Sequence, residues 1–265
     1  MTRTANTFKA LREKNEKALI PYIMAGDPDL ETTAELLEKL PAAGADVIEL
    51  GMPFTDPMAD GPAIQEAALR SLKKGTTTGD ILDLARGFRE NNKTTPLVLM
   101  GYFNPVFKYG VDKFCQDAAG AGVDGLLIVD IPPEEGNELW PMAKAAGLDI
   151  IRMITPTSRK TRLQTVLAGT SGFLYYVSIT GITGTASANP EKIQKHLEEI
   201  RQHTQLPIAV GFGINTPEDA AVMAGFTDAV VVGSALVKDL KQNGVQSCLE
   251  RVKALKKGVL KAPAA

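Results

Sequence analysis

The sequence predicts an α/β protein, a single (β/α)8 TIM barrel over residues 1–265, with an extra N-terminal helix and extra helices after strands two and eight. Three observations lead to this prediction. Eight short apolar segments recur along the chain, helical patterns separate them, and several helices pass to the next strand through the same glycine and aspartate step. A regular alternation of strands and helices is typical of a parallel sheet with helices packed around it.

Most of the apolar segments are uninterrupted rather than alternating, as expected of parallel strands that are covered on both faces. They are ALIPYIM (18–24), DVIEL (46–50), PLVLMGY (96–102), GLLIVD (125–130), DIIRMI (149–154), GFLYYVS (172–178), LPIAVGF (206–212) and DAVVVG (228–233).

The intervals between these segments carry helical patterns such as DLETTAELLEKLPAAG and PEKIQKHLEEIRQHT. Four helix ends read AAGAD, GAGVD, AAGLD and AGFTD. Glycine is the expected residue there because it readily adopts the left-handed backbone that closes a helix. Two helical stretches, 61–75 and 80–91, fill the long interval between strands two and three, and FKALREK predicts a helix before the barrel.

A doubly wound parallel sheet is the alternative fold. Such a sheet usually carries the dinucleotide-binding pattern G-x-G-x-x-G after its first strand. The corresponding segment here, IMAGDPDLE, lacks that pattern. GFGINTPED has two of the three glycines but follows the seventh strand, so the barrel is favoured.

Composition excludes several classes of function. The chain has 265 residues, 44% of them apolar and 23% charged, and a formal net charge of −2, so it lacks the basic surface of a nucleic-acid-binding protein. No apolar segment has the length needed to cross a membrane. The N-terminal segment MTRTANTFKALREKNEK has no apolar signal core, so we expect a cytoplasmic protein. Cys115 and Cys248 are expected to be reduced thiols.

Glycine-containing loops after the last strands predict a phosphate site. In a barrel of this kind the active site lies at the C-terminal ends of the strands, and phosphate binds after strands seven and eight. GFGI and VVGSALV occupy these positions, which makes Gly213, Gly233 and Ser234 candidates for phosphate contacts through backbone N–H groups. Gly184, in GITG after strand six, is a further candidate, and the alternative is that these glycines only form tight turns.

Two acids in the stretch ELGMPFTDPMADGPA are candidates for acid–base chemistry. Glu49 ends an apolar strand, and burial there would raise its pKa toward neutrality. The structural alternative for Glu49 is a carboxylate that is hydrogen-bonded across the barrel. Asp60 precedes Gly61-Pro62, and the pattern alone leaves catalysis and helix capping equally open. Asp56 is expected to shape the loop.

The sequence also narrows the chemistry by what it lacks. Its two histidines, His196 and His203, fall on one predicted helix outside the barrel, so we expect no metal site. The strand candidates carry no suitably placed lysine for a Schiff base, and there is no G-x-S-x-G nucleophile pattern. Carboxylate acid–base chemistry on a small phosphorylated molecule remains, without a metal, a cofactor or a covalent intermediate.

At this point the motifs identify a family. ELGMPFTDPMADGPAIQ closely resembles the signature of the tryptophan synthase α subunit family, E-[L/I]-G-x-P-[F/Y]-[S/T]-D-P-x-A-D-G-P. PLVLMGYFNPVFKYG, LIVDIPPEE, GFLYYVSITGITG, GFGI and VVGSAL resemble further segments of the same family. The resemblance extends over nearly the whole chain.

The resemblance implies a lyase that cleaves indole-3-glycerol phosphate to indole and glyceraldehyde 3-phosphate by a retro-aldol reaction. It implies that Glu49 is the acid–base residue and that Asp60 binds the indole N–H and stabilises the positively charged ring. The other residues that it implies are Tyr175 near the glycerol, Tyr22, Met100 and Phe212 around the indole, Thr183 as a hydrogen-bond partner of Asp60, and Gly184, Gly213, Gly233 and Ser234 at the phosphate.

The resemblance also implies a partner, the pyridoxal-phosphate-bearing β subunit, which receives indole through a tunnel in an α2β2 complex. Residues 53–60 and 179–189 would form lids that close over the substrate and couple the two sites. Ile179 stands where better-known members have a basic residue, and Thr185-Ala186 replaces the commoner Ala-Arg. We therefore expect lid closure to be weaker or differently timed.

Two other functions remain as alternatives. One is a different phosphate-binding barrel enzyme, an isomerase or epimerase, which would need other acids or a metal at the rim. The other is a non-catalytic regulatory subunit that keeps the fold only to activate a partner. The missing basic lid residues favour the regulatory subunit, whereas the intact pair of Glu49 and Asp60 favours the lyase.

Overall fold

Nine β-strands form one parallel sheet in the computed structural model, which describes residues 2–158, 160–177, 190–211 and 213–262. The strands are β1 (Ala18–Met24), β2 (Ile48–Gly51), β3 (Leu97–Gly101), β4 (Gly125–Ile128), β5 (Asp149–Ile150), β6 (Arg152–Ile154), β7 (Leu174–Val177), β8 (Ile208–Gly211) and β9 (Ala229–Val232).

The strand order in the sheet is β5-β4-β3-β2-β1-β9-β8-β7-β6. The two outermost strands, β5 and β6, are consecutive pieces of one segment that is interrupted at Ile151. The sheet therefore curves into a nearly closed barrel with eight strand positions. This confirms the predicted fold class. All eight predicted strands are present, although their ends differ by up to two residues.

Helices precede, connect and follow the strands. They are α1 (Arg3–Glu13), α2 (Leu30–Ala43), α3 (Pro62–Lys73), α4 (Thr78–Asn91), α5 (Phe103–Tyr109), α6 (Val111–Gly120), a 3-10 helix (Pro133–Glu138), α7 (Trp140–Ala145), α8 (Lys160–Leu167), α9 (Pro190–Arg201), α10 (Pro217–Ala224) and α11 (Ser234–Leu260). None of the described helices combines the length and apolarity that a membrane crossing requires.

The predicted extra helices are present. α1 precedes the barrel, and its Phe8 and Leu11 belong to the apolar cluster inside the sheet, where Phe8 packs on Phe173 with ring centroids 5.8 Å apart. α3 and α4 both follow β2. The helix after the last strand, α11, contains a break at Gly244, where φ is 81°, so it consists of two helical segments.

The helix α5 was not predicted. Its first backbone N–H, from Phe103, donates to the Asp130 carboxylate at 2.8 Å. The residue before it, Tyr102, makes no side-chain capping bond. Because the helix start is stabilised by a residue that is remote in sequence, the local pattern carried no capping signal.

Three of the four helix-closing glycines have the left-handed backbone that the pattern predicts: φ is 112° at Gly44, 87° at Gly122 and 80° at Gly147. The prediction is wrong for Gly225, where φ is −61° and the backbone N–H still bonds to Ala221 in the helical manner. The aspartate two residues after Gly44 has a different role, which is to bond to the neighbouring strand. The carboxylate of Asp46 accepts the Leu19 backbone N–H of the neighbouring strand at 2.7 Å.

Candidate active site

The C-terminal ends of the strands surround a cavity of about 1050 Å³. Side chains from separate strands meet there because parallel strands of a barrel end at the same rim. Tyr22 comes from β1, Glu49 from β2, Met100 from β3 and Tyr175 from β7, and all four line the cavity. The parallel pairing of β1 with β2 places Tyr22 directly beside Glu49.

The structure brings together eight of the eleven predicted site residues. Those that line the cavity are Tyr22, Glu49, Asp60, Met100, Tyr175, Gly213, Gly233 and Ser234. The other three, Thr183, Gly184 and Phe212, lie outside the described residues, as does Ile179.

Glu49 is a buried acid at the C-terminal end of a strand. Its side chain is 1% exposed, and its Oε1 atom has no hydrogen-bond partner among the described residues. Burial, and after it the nearby charge of Asp60, raises the pKa of Glu49 to about 8. The carboxyl group therefore keeps its proton at neutral pH and can act as a general acid. The missing hydrogen bond at Oε1 weighs against a purely structural role.

Asp60 lies in the loop before α3, but it is not the N-cap of that helix. Gly61 occupies the N-cap position and makes no side-chain capping bond. The helix-cap alternative is therefore wrong. Burial raises the pKa of Asp60 to about 6, and the Tyr102 side chain opposes that rise. Asp60 is consequently an anion at neutral pH.

The two acids thus differ in their charge at the same pH. Glu49 is fully enclosed and protonated, whereas Asp60 is half-buried and ionised. Environments that separate the pKa values of two neighbouring carboxyl groups are a common way of assigning them different chemical roles. The cavity can therefore donate a proton from one side and stabilise a positive charge from the other.

Glycines allow two tyrosines to extend across the strand ends. A Cβ atom on Gly51 would lie 2.0 Å from the Tyr22 hydroxyl oxygen, and one on Gly211 would lie 2.2 Å from that of Tyr175. Any larger residue at these positions would push the rings away. Burial raises the pKa of both Tyr22 and Tyr175 well above the ordinary value, so both remain neutral phenols.

The predicted phosphate end of the cavity is formed by Gly213, Gly233 and the start of α11. Gly213 has a left-handed backbone, with φ of 80°, and Gly233 is the N-cap of α11. Ser234 begins that helix. The N-terminus of a helix carries a partial positive charge and offers backbone N–H groups to an anion.

The sequence reasoning found no lysine or arginine at the strand ends, but the structure adds cations from the helices. Arg70, Lys238 and Lys241 also line the cavity. Arg70 donates two hydrogen bonds to the buried Asp27 carboxylate, from Nε at 2.7 Å and from Nη2 at 2.8 Å. Lys238 lies one helical turn after Ser234, and this i, i+4 spacing was the signal that could have revealed it.

Tyr102 is the functional side chain that sequence reasoning missed. Its hydroxyl oxygen accepts the Ala59 backbone N–H at 3.1 Å, next to Asp60, and the Tyr102 side chain opposes the rise in the pKa of Asp60. Tyr102 falls within a family motif, but its separation from Asp60 in the sequence hides the contact.

The remaining candidates lie away from the cavity. Asp56 is exposed and accepts a hydrogen bond from Thr55 Oγ1 at 2.5 Å, as expected of a loop-shaping residue. His196 is half-buried on α9, and its Nδ1 lies 3.1 Å from the Tyr176 hydroxyl outside the barrel. In the described part of the chain, no three His, Cys, Asp or Glu side chains are grouped as a metal ion would require.

Comparison with known proteins gives consistent matches. Residues 8–263 match the family model described as tryptophan synthase alpha chain. The crystal structure of tryptophan synthase subunit alpha from Legionella pneumophila is 37% identical, with 98% of each chain covered and a TM-score of 0.90. A structure from Aquifex aeolicus is 39% identical over 97% of this chain and 99% of that one, with a TM-score of 0.91. Tryptophan synthase from Mycobacterium tuberculosis is 33% identical, with 98% of each chain covered and a TM-score of 0.90.

Proposed function

The chain belongs to the tryptophan synthase alpha chain family, and from this premise we propose that its cavity cleaves indole-3-glycerol phosphate to indole and glyceraldehyde 3-phosphate. The single observation that carries the proposal is the pair of acids in one cavity, the buried Glu49 with its pKa raised to about 8 and the half-buried Asp60 with its pKa raised to about 6. A retro-aldol cleavage of this substrate needs a proton donor and an anion at the same time.

The reaction begins with transfer of the Glu49 proton to carbon 3 of the indole ring. The ring nitrogen then carries positive charge, and the Asp60 carboxylate accepts the indole N–H and stabilises that charge. No lysine is needed, because the protonated ring itself accepts the electrons of the breaking bond.

Glu49, now a carboxylate, takes the proton from the C3′ hydroxyl of the glycerol chain. The electrons of that O–H bond form the aldehyde carbonyl, and the C–C bond to the ring breaks. Its electron pair restores the neutral aromatic indole. Glu49 ends the cycle protonated, so the chain gains and loses no proton overall.

The remaining cavity residues orient the substrate. The phosphate would bind to backbone N–H groups near Gly213, Gly233 and Ser234, with Gly184 as a further contact. Tyr175 would lie near the glycerol chain. The indole would lie among Tyr22, Met100 and Phe212, and Thr183 would hydrogen-bond Asp60 when the lids close.

The family implies a β subunit that carries pyridoxal phosphate and an α2β2 assembly in the cytoplasm, and we extend both to this chain. Two exposed apolar side chains support a docking surface near the cavity. Met58, in the loop that carries Asp60, is 81% exposed, and Phe107, on α5, is 56% exposed. We also propose that residues 1–265 form one domain.

The test is indole release from indole-3-glycerol phosphate by the purified chain, alone and with a β subunit titrated in. Glu49→Gln and Asp60→Asn should each lower kcat by about 10²–10⁴, the usual contribution of one acid–base group. Asp56→Asn is the control for the isolated chain, because it removes an exposed carboxylate from the same loop.

The result separates the lyase from both alternatives. A regulatory subunit would release no indole under any of these conditions. A different barrel enzyme would also release none, and its activity would not depend on both acids. Full activity in both Glu49→Gln and Asp60→Asn would refute the proposed mechanism.

A further inference from the structure

Among the described residues, three cationic side chains line the cavity, and two of them are already paired. The three are Arg70 from α3 and Lys238 and Lys241 from α11. Arg70 donates two hydrogen bonds to the buried carboxylate of Asp27, at 2.7 and 2.8 Å. Lys241 donates to the carboxylate of Glu66 on α3 at 2.9 Å. The positive charges of Arg70 and Lys241 are therefore held by carboxylates of the chain itself.

Lys238 is the cation that remains available to a ligand. No hydrogen bond or ion pair joins it to another described residue, and its side chain is exposed. Its charge acts on Glu66, but Glu66 also faces Lys241 and Arg70. The ammonium group of Lys238 can therefore turn to an anion without breaking an existing salt bridge.

The helix α11 presents Lys238 to the same cavity as Ser234. The residues of this helix that line the cavity are Ser234, Val237, Lys238, Lys241 and Gln242. Their spacing of three and four residues is that of one face of an α-helix. Ser234 and Lys238 are about 6 Å apart along the axis, and helical side chains lean toward the N-terminus. The four-carbon stem of lysine can therefore bring its ammonium group level with Ser234.

We propose that Lys238 is a phosphate-binding residue of this cavity, whose ammonium group contacts the phosphate dianion of the substrate beside the backbone N–H groups near Gly233 and Ser234. The inference rests on the proposed lyase function and adds a charged residue to a site that otherwise holds the phosphate by neutral groups. Lysine is a flexible point charge with three hydrogen-bond donors, which suits a tetrahedral anion.

Acids on the opposite side of the cavity give this charge a role. Glu218 and Asp219, from α10, line the same cavity. The Asp219 carboxylate accepts the backbone N–H groups of Asn215 and Thr216, each at 3.0 Å. Neither acid forms an ion pair with a lysine or arginine in the described part of the chain. A phosphate at the start of α11 therefore meets negative charge from α10, and Lys238 offsets that repulsion.

The test compares a phosphorylated probe with an uncharged one. Glycerol 3-phosphate keeps the phosphate and the glycerol chain, whereas indole keeps only the ring. Lys238→Met retains the length of the side chain and removes its charge. The Kd of glycerol 3-phosphate, measured by calorimetry, should rise about tenfold, the usual effect of losing one hydrogen bond between charged groups. The Kd of indole should stay unchanged.

The kinetics of indole release separate binding from chemistry. In Lys238→Met, KM should rise about tenfold while kcat changes much less, because the phosphate is bound equally in the ground state and the transition state. Lys238→Arg keeps the positive charge and should retain most of the affinity. Added sodium chloride should reduce the difference between Lys238→Met and the unaltered chain, because salt screens a contact between charges.

Lys257→Met is the matched control. Lys257 is also an exposed lysine of α11 without an ion pair to another described residue. It lies in the last turn of the helix and is outside the residues that line the cavity. The substitution removes the same charge from the same helix, so it should leave both the Kd of glycerol 3-phosphate and KM unchanged.

Equal Kd values of glycerol 3-phosphate for Lys238→Met and the unaltered chain would overturn the role of Lys238, as would an unaltered chain that does not bind this probe. An equal loss of affinity in Lys257→Met would also overturn it, because the effect would then be one of net charge. If the unaltered chain binds the probe but releases no indole, the proposed lyase function fails. The Kd values would still decide the role of Lys238, so the two failures are distinguishable.

Discussion

Replacing Glu49 with leucine is expected to stabilise the fold while it removes the candidate acid. Glu49 is 1% exposed, and its Oε1 atom lacks a partner among the described residues. An apolar side chain of similar size needs no hydrogen bond there. Such replacements of buried charged groups by apolar ones are often stabilising, because the desolvation penalty disappears.

The magnitude follows from the pKa of Glu49, about 8 in the folded chain against an ordinary value of 4.5. Below pH 4.5 Glu49 is protonated in both the folded and the unfolded chain, so its titration does not lower the free energy of unfolding. Between the two pKa values folding forces the carboxylate to take up a proton, so stability falls as pH rises. At pH 7 the carboxyl group is about 2.5 pH units above its ordinary pKa, and at about 1.4 kcal/mol per pH unit the penalty is roughly 3 to 4 kcal/mol.

The assay is urea unfolding at pH 5.5, 6.5 and 7.5. The leucine variant should be more stable at each pH, and its advantage should grow by about 1.4 kcal/mol per pH unit. Glu49→Gln is the matched control, because it removes the titration and keeps a polar group. It should show the same dependence on pH with a smaller advantage. A leucine variant that is less stable, or an advantage that does not vary with pH, would refute the reasoning.

Three further predictions follow from the cavity. The rate of indole release should be bell-shaped with limbs near pH 6 and pH 8, since one acid must be ionised and the other protonated; a profile that is flat from pH 5 to 9 would contradict this. Gly51→Ala should lower kcat/KM at least tenfold, because the new Cβ atom would lie 2.0 Å from the Tyr22 hydroxyl, and Tyr22→Phe should restore part of the activity. Asp27→Asn should lower the free energy of unfolding by about 2 kcal/mol in urea, because it removes the buried carboxylate that pairs with the partly exposed Arg70 and leaves only the exposed Glu66 at 3.8 Å; an unchanged midpoint would show that the pair contributes little.

Much of the barrel could be predicted from the sequence because parallel strands that are buried on both faces have continuous apolar runs. Strand β1 was predicted with its bounds, 18–24, since each of its residues is buried. The interruption at Ile151 was not visible, because Ile151 is itself apolar and lies inside the segment DIIRMI. The helix α5 was missed because its start depends on Asp130, whose carboxylate is brought to it by the fold.

The candidate site was predictable as far as strand ends could be located. Glu49 was found because the ends of barrel strands meet at one rim, whereas Tyr175 was named only through the family resemblance. Tyr102 and Lys238 were missed for a different reason. Tyr102 acts through a contact with Ala59 in a distant loop, and Lys238 reaches the cavity from the second turn of a helix.

The most direct measurement of the central claim is the charge of the two acids at pH 7 in the chain without substrate. Infrared difference spectra against Glu49→Gln and Asp60→Asn give the carbonyl stretch of each carboxyl group separately. Glu49 should show the band of a protonated acid, and Asp60 should show the bands of a carboxylate. An ionised Glu49 at pH 7 would contradict the account.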